Sequence, residues 1–197
     1  MEIIKKVNYE NDENTYILIS DGETAVIDPG IKNIEVKNLK YIILTHCHYD
    51  HIEGLRELKE KTGASVVFSK TGSSNLNDGY INLSEMVYGK NIGLKPDILV
   101  SDGDKIMLGK DEILCIETPG HTSCGMSYLW EDNLFSGDTL FKNSIGRTDF
   151  KTGNFSVLEG SLKNKIYKLP ENVKVYPGHG DMTDVGYEKK YNSFVRG

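Results

Sequence analysis

The stretch Thr45-His46-Cys47-His48-Tyr49-Asp50-His51 places three of the chain's five histidines within six residues. The other two stand beside glycine, in Pro119-Gly120-His121-Thr122 and Pro177-Gly178-His179-Gly180. No histidine is left over for an incidental role. In an extended or looped segment, residues i and i+2 point the same way. His46 and His48 can therefore bind one ion together, while the adjacent pair Asp50 and His51 faces elsewhere and can bind a second ion nearby. Imidazole and carboxylate suit Zn, Fe or Mn, and two ions about 3.5–4 Å apart form a shared clamp. Such a pair needs one more ligand per ion and a bridge, and His121, Asp138 and His179 supply them. Taken alone, Asp50 also fits a helix N-cap and Asp138 a plain turn residue.

The flanking sequence places these residues at strand ends. Tyr41–Thr45 is a short continuous apolar run, the mark of a buried strand, and it stops at His46. A helix is expected over His51–Thr62, with Ile52, Leu55 and Leu58 on one side and Gly63 closing it. Upstream, Asn14–Ser20 and Thr24–Asp28 read as a hairpin joined by Asp21-Gly22. Asp28-Pro29-Gly30 reads first as a turn. Its best functional role is a hydrogen-bond partner for a ligand histidine. Downstream, Ala64–Phe68 is a strand, and Lys70 to Pro96 is a long polar connection with a short helix near Ser84–Tyr88. Four short strands follow: Lys105–Leu108, Glu112–Glu117, Met126–Trp130 and Asn133–Ser136. Ser156-x-x-Glu159 reads as a capping box for a helix running to about Leu169. Val173–Tyr176 is a last strand, and Gly186–Val195 fits a terminal helix. Two strand groups separated by helices fit two sheets with helices outside better than one doubly wound sheet.

The composition permits this and excludes other classes. One domain over residues 1–197 is the expectation for this length. With 38% hydrophobic and 26% charged residues, the chain can build a core and is not disordered. A net charge of −6 argues against a basic nucleic-acid footprint. No apolar run approaches the roughly 20 residues of a membrane span, and the N-terminus lacks a secretory pattern. The three cysteines at 47, 115 and 124 form no framework, which suits a reducing cytoplasm. Cys47 lies between two ligands and points away from them by the same alternation. Cys124 reads as a small buried residue, with redox sensing as the alternative.

The motif Thr-His-x-His-x-Asp-His at Thr45–His51, followed by His121, Asp138 and His179, resembles that of the metallo-β-lactamase-fold superfamily. Within it, Ser136–Phe141, Ser144–Asp149 and Tyr176–Gly180 are similar to stretches in short, glyoxalase II-like hydrolases. The resemblance implies an α/β fold of the four-layer αββα type. It also implies a first metal held by His46, His48 and His121, a second by Asp50, His51 and His179, and Asp138 as the bridge. Zn2+ is the expected ion at both positions. The sequence after His179 is too short for the helical C-terminal domain of glyoxalase II proper, so glutathione selectivity is not implied.

The expected chemistry is hydrolysis by a hydroxide between the two ions, with Asp50 orienting it. No spare histidine is available to protonate a leaving group. A thiolate, with a thiol pKa of about 8.5, needs little help, which favours thioesters and activated esters over amides. Lys142, Asn143 and Arg147 are candidates for binding a carboxylate on a small-molecule substrate; Arg147 equally fits a structural ion pair. The main alternative is a persulfide dioxygenase of the same fold, with one Fe(II) on His46, His121 and Asp138. A nucleic-acid-processing hydrolase is a further one.

Overall fold

The computed structural model describes residues 2–197. The hairpin forms where the turn residues demand it. β2 (Glu13–Ser20) and β3 (Glu23–Ile27) are joined by Asp21 and Gly22, both at positive φ (48° and 81°), as the preferred two-residue turn requires. β4 (Leu39–Ile43) then runs parallel to β3, and β5 (Ser65–Ser69) parallel to β4. Between them lies α1 (Leu55–Thr62), which buries Leu55 and Leu58 and ends at Gly63 with φ 70°. β1 (Glu2–Asn8) and β6 (Ile98–Val100) complete a six-stranded sheet in the order β1-β2-β3-β4-β5-β6, and the expected short helix α2 (Ser84–Tyr88) lies in the connection between β5 and β6.

The second sheet contains β7 (Lys105–Leu108), β8 (Asp111–Glu117), β9 (Met126–Trp130), β10 (Asn133–Gly137), β13 (Lys174–Pro177) and β14 (Thr183–Asp184). Its order is β14-β13-β10-β9-β8-β7, with β10 and β13 parallel. A small hairpin, β11 (Leu140–Phe141) with β12 (Ser144–Ile145), follows β10.

Strand alternation divides the apolar residues into three layers. Tyr16, Leu18, Ile27 and Ile43 of the first sheet meet Ile113, Tyr128, Trp130 and Phe135 of the second. Ile17, Val26, Ile42 and Phe68 face outward beneath Leu55 and Leu58 of α1. Leu134 and Val175 face the other way, under Leu158 and Leu162 of α3 (Phe155–Asn164). The result is the expected helix–sheet–sheet–helix sandwich.

Several boundaries differ from the sequence reading. Tyr49–His51 is one turn of 3-10 helix, and α1 begins only at Leu55, after Gly54. α3 is capped by Asn154, whose side chain accepts from the Val157 N–H at 3.1 Å; Ser156 is not its cap. The helix stops at Asn164, and a separate 3-10 turn spans Ile166–Lys168. The last helix, α4, covers Val185–Tyr191. Neither β1 nor β6 was anticipated as a strand. β1 is an edge strand whose sequence, Ile-Ile-Lys-Lys, lacks clean alternation.

Replacing Asn154 by alanine is expected to cost about 1 kcal/mol of stability, while Ser156→Ala stays within about 0.5 kcal/mol. Urea denaturation of the two variants distinguishes the caps.

Candidate metal centre

Five strands end at one rim of the sandwich. β3 leads into Asp28, β4 into Thr45–His51, β8 into the His121 loop, β10 into Asp138 and β13 into His179. The parallel β10–β13 pair has a register irregularity between Phe135 and Gly137, just before Asp138. Close approach there requires glycine. A Cβ on Gly178 would stand 2.3 Å from Asp138 Oδ1 and 2.7 Å from His51 Cε1. The first strands of the other sheet pin the same loop: Asn14 N donates to Gly178 O at 2.7 Å, and Asn14 Nδ2 to Pro177 O and Gly180 O at 3.0 Å. The His121 loop is tied to α3 by Asn154 N to Gly120 O (2.7 Å) and Ser161 Oγ to Pro119 O (2.7 Å).

The structure gathers the seven expected side chains into two groups with one residue between them. Ligand-type atoms of His46, His48 and His121 lie within 4.8 Å of one another, and so do those of Asp50, His51 and His179. Asp138 spans the groups. Its Oδ2 is 3.5 Å from His121 Nε2, and its Oδ1 is 3.3 Å from His51 Nε2 and 3.7 Å from His179 Nε2. His179 Nε2 is also 3.3 Å from Asp50 Oδ2.

Hydrogen bonds behind the cluster decide which nitrogens face it. His121 Nδ1 lies 2.7 Å from the Arg147 carbonyl oxygen, which can only accept. Nδ1 therefore carries the proton, and the Nε2 lone pair is free. Asp28 does the same for two other rings. Its Oδ2 receives His51 Nδ1 at 3.0 Å and the Thr45 hydroxyl at 2.6 Å, and its Oδ1 receives Thr45 N at 2.7 Å. Because the Thr45 hydroxyl proton goes to Asp28, Thr45 Oγ1 accepts from His46 Nδ1 at 3.1 Å. His46 Nε2 is left with a lone pair aimed into the cluster. Asp28, His46 and His51 are also close enough to form a third ligand group. The ring nitrogens facing Asp28 carry protons, so that group is a hydrogen-bonded support and not a cation site.

Two buried atoms have no hydrogen-bond partner here: His46 Nε2 and Asp138 Oδ1. An orphaned buried lone pair is costly. Both atoms point into the cluster, where His48 Nδ1 and His121 Nε2 already approach to 2.9 Å. Converging imidazole and carboxylate lone pairs in a buried site fit a transition-metal cation.

The electrostatics differ between the groups. Burial, reinforced by neighbouring imidazoles, holds His46 well below the usual imidazole range and brings His48 down to about 3. Both are neutral and ready to donate a lone pair. Burial opposes charge on His51 and His179 as well. The Asp138 and Asp50 carboxylates outweigh it, and both rings are raised. Asp50 and Asp138 are lowered in turn, against burial, by the imidazoles they face.

A cleft of about 340 Å3 opens over His48, Asp50, His121, Asp138 and His179. Of the expected substrate residues, Arg147 lines it, but Lys142 and Asn143 do not. The Arg147 guanidinium is bidentate on Asp149 (3.0 and 2.7 Å) and sits 4.6 Å over the Phe150 ring. Lys142 pairs with Asp181 at 3.1 Å, in a neighbouring groove beyond His179. Asn143 is an exposed turn residue at φ 61° whose backbone N–H donates to Glu188. Cys47 packs away from the ligands in the α1-side layer, 3.5 Å from the buried Cys124 sulfur. Asp28 supports a ligand histidine, His51, as the sequence suggests; the sequence reading missed its second link, through Thr45 to His46, and the contribution of Leu83, Phe141 and Phe150 to the cleft wall.

With this geometry in place, likeness to known proteins becomes informative. The profile of the Metallo-beta-lactamase superfamily matches residues 9–179, and the chain belongs to that superfamily. It is 37% identical over 195 residues to the probable metallo-hydrolase YqgX of Bacillus subtilis (strain 168), covering 93% of this chain and 92% of that one. It is 29% identical to the hydroxyacylglutathione hydrolase GloC of Haemophilus influenzae, over 95% of this chain and 90% of GloC. Among solved structures, the B3 metallo-beta-lactamase BLEG-1 superposes with a TM-score of 0.88 at 30% identity, with both chains covered in full.

Removing the Asp28 carboxylate (Asp28→Ala) frees two imidazoles from their fixed orientation. Cation affinity is expected to fall about 10–100-fold, measured by competition with a chromogenic chelator.

Proposed function

We propose that the chain is a hydrolase that holds two divalent cations, Zn2+ first among them, and cleaves thioesters or similarly activated esters of small molecules. His46, His48 and His121 would hold one cation, and Asp50, His51 and His179 the other. Asp138 would touch both. The observation that carries this reading is Asp138: its two oxygens face separate imidazole groups, and one of them is buried without a partner.

Cations bound in this way polarise a carbonyl oxygen and bring the pKa of water from 15.7 to about 7, so a nucleophile exists at neutral pH without a protein base. The protein's own groups do the rest. Asp50, lowered and aimed into the cleft beside His179, is an acceptor that can orient an attacking water. Asp28, Thr45 and the Arg147 carbonyl hold the rings in their donating tautomers. All five histidines belong to the two groups, so none remains to protonate a leaving group. A thiolate leaves without that help, because a thiol pKa of about 8.5 is close to neutrality. The likeness to GloC supports the same choice of substrate. The three free cysteines suit a reducing compartment, and the proposal is of a cytoplasmic enzyme.

The test is metal analysis of protein purified without chelator, with S-lactoylglutathione and simple acyl thioesters as substrates. Two metals per chain, hydrolysis and no oxygen uptake are expected. One iron per chain with oxygen consumption on a persulfide would replace this reading with the single-iron one, on His46, His121 and Asp138. In the hydrolytic enzyme, Asp50→Asn is expected to lower kcat by about 10²–10⁴-fold with the melting temperature preserved.

A further inference from the structure

Three apolar side chains in the cleft wall belong to none of the hydrophobic layers. Leu83, Phe141 and Phe150 are all half-buried, and all line the cleft. Phe150 lies 4.8 Å from the His48 ring and 5.6 Å from that of His121, and Phe141 lies 6.0 Å from His179. These residues frame the candidate cations and do not support the core.

Leu83 is the most telling of them. Its backbone sits at φ 67° and ψ −1°. That conformation crowds Cβ against the following carbonyl, and for a bulky non-glycine residue it is a true outlier. The surrounding loop holds it there from both sides. Asn82 is fully buried. It donates to Leu76 O and Asn91 Oδ1 at 3.0 Å and accepts from Ser84 N at 2.9 Å and Ser84 Oγ at 2.6 Å. Ser84 Oγ in turn accepts from Ile92 N at 3.2 Å. Ile81 and Ile92 pack on the α1-side layer, whereas Leu83, between them in the chain, does not. Glycine would satisfy this backbone with no strain. The backbone of the loop therefore does not call for a leucine at this position, and the half-buried side chain lines the cleft.

We propose that Leu83 is a specificity-determining residue. With Phe141 and Phe150 it forms an apolar seat beside the scissile bond, so that preferred substrates carry an apolar acyl chain. This rests on the thioester-hydrolase reading above and narrows its substrate class. The cleft offers little to a charged acyl group: apart from the candidate ligands, Arg147 is the one charged side chain in its wall, and Asp149 occupies it.

Two measurements on the metal-loaded protein test this. The first is kcat/KM for acetyl, butyryl and hexanoyl thioesters of one short thiol. Each buried methylene contributes about 0.8 kcal/mol, or about fourfold. Hexanoyl, with four more methylenes, should therefore exceed acetyl by about two orders of magnitude when its chain is fully seated. Leu83→Gly should pull that ratio down about tenfold, with a melting temperature equal to or above wild type because glycine fits φ 67°. The second is calorimetric binding of the product carboxylates, acetate to hexanoate, which needs no turnover. Affinity should rise with chain length in the wild type and flatten in Leu83→Gly. A length dependence that survives Leu83→Gly, or a wild type indifferent to length in both assays, overturns the assignment of Leu83. Carboxylate binding that depends on length and on Leu83, without hydrolysis of any thioester, would sink the hydrolase reading and leave the apolar seat standing.

Discussion

The buried carboxylate of Asp28 is the interaction on which the rim depends. It is 1% exposed and sits at the end of β3 with φ 48°. A carboxylate in that position is tolerable only with full hydrogen bonding. It obtains this from the strand next door: the Thr45 N–H, the Thr45 hydroxyl and the His51 ring all point at it. The parallel β3–β4 pairing, with Ile27 opposite Ile43, brings those groups to it. In satisfying itself, Asp28 turns His51 Nε2 toward Asp138 and, through Thr45, leaves His46 Nε2 as a bare lone pair. Secondary structure, burial and ligand chemistry are thus linked through one side chain.

A second constraint is charge. Seven titratable groups share one partly closed site, and their repulsions and attractions sort them. His46 and His48 are lowered by burial first and by neighbouring imidazoles second, whereas at His51 and His179 the facing carboxylates outweigh burial and raise the rings. Asp50 and Asp138 favour the charged form of His51 and His179 against burial. The carboxylates supply the negative charge that those rings need. This accounts for the placement of Asp138 between the groups, where each of its oxygens meets a different set of rings.

Much of this was legible in the sequence because it follows from periodicity. The i, i+2 spacing of His46 and His48, and the change of direction at Asp50 and His51, separate the groups in the structure as alternation requires. The strands ending at Ile43, Gly137 and Pro177 match, to within two residues, the runs read as ending at Thr45, Ser136 and Tyr176. What escaped was what depends on tertiary contact. Asp28 reads in the sequence as a turn that can support a ligand histidine, but that it holds Thr45 as well as His51 depends on β4 lying beside it. Lys142 looks free to bind a carboxylate until the fold brings Asp181 to it, whereas Arg147 forms the structural ion pair that its sequence also fits, with Asp149 two residues on. The Ser156-x-x-Glu159 pattern pointed to the wrong cap, because the entry of the chain from the His121 loop, through Asn154 N to Gly120 O, makes Asn154 the cap.

The same distinction separates chemistry from selectivity in this molecule. The candidate ligands come from strand ends, whose positions are set by two sheets packed through a shared apolar layer, so small changes elsewhere leave them in place. The cleft wall comes from elements outside that framework: the 70–96 connection carrying Leu83, the β11–β12 hairpin with Phe141, and the segment before α3 with Phe150. Connections of this kind can change length and sequence without disturbing the sheets. Residues on strand ends are therefore expected to govern whether a bond is cleaved, and residues on the connections to govern which molecule presents it. The buried hydrogen bonds of Asn82 show why a long loop can still act as a wall: its polar groups are satisfied within the loop, so Leu83 is held in position rather than left to solvent.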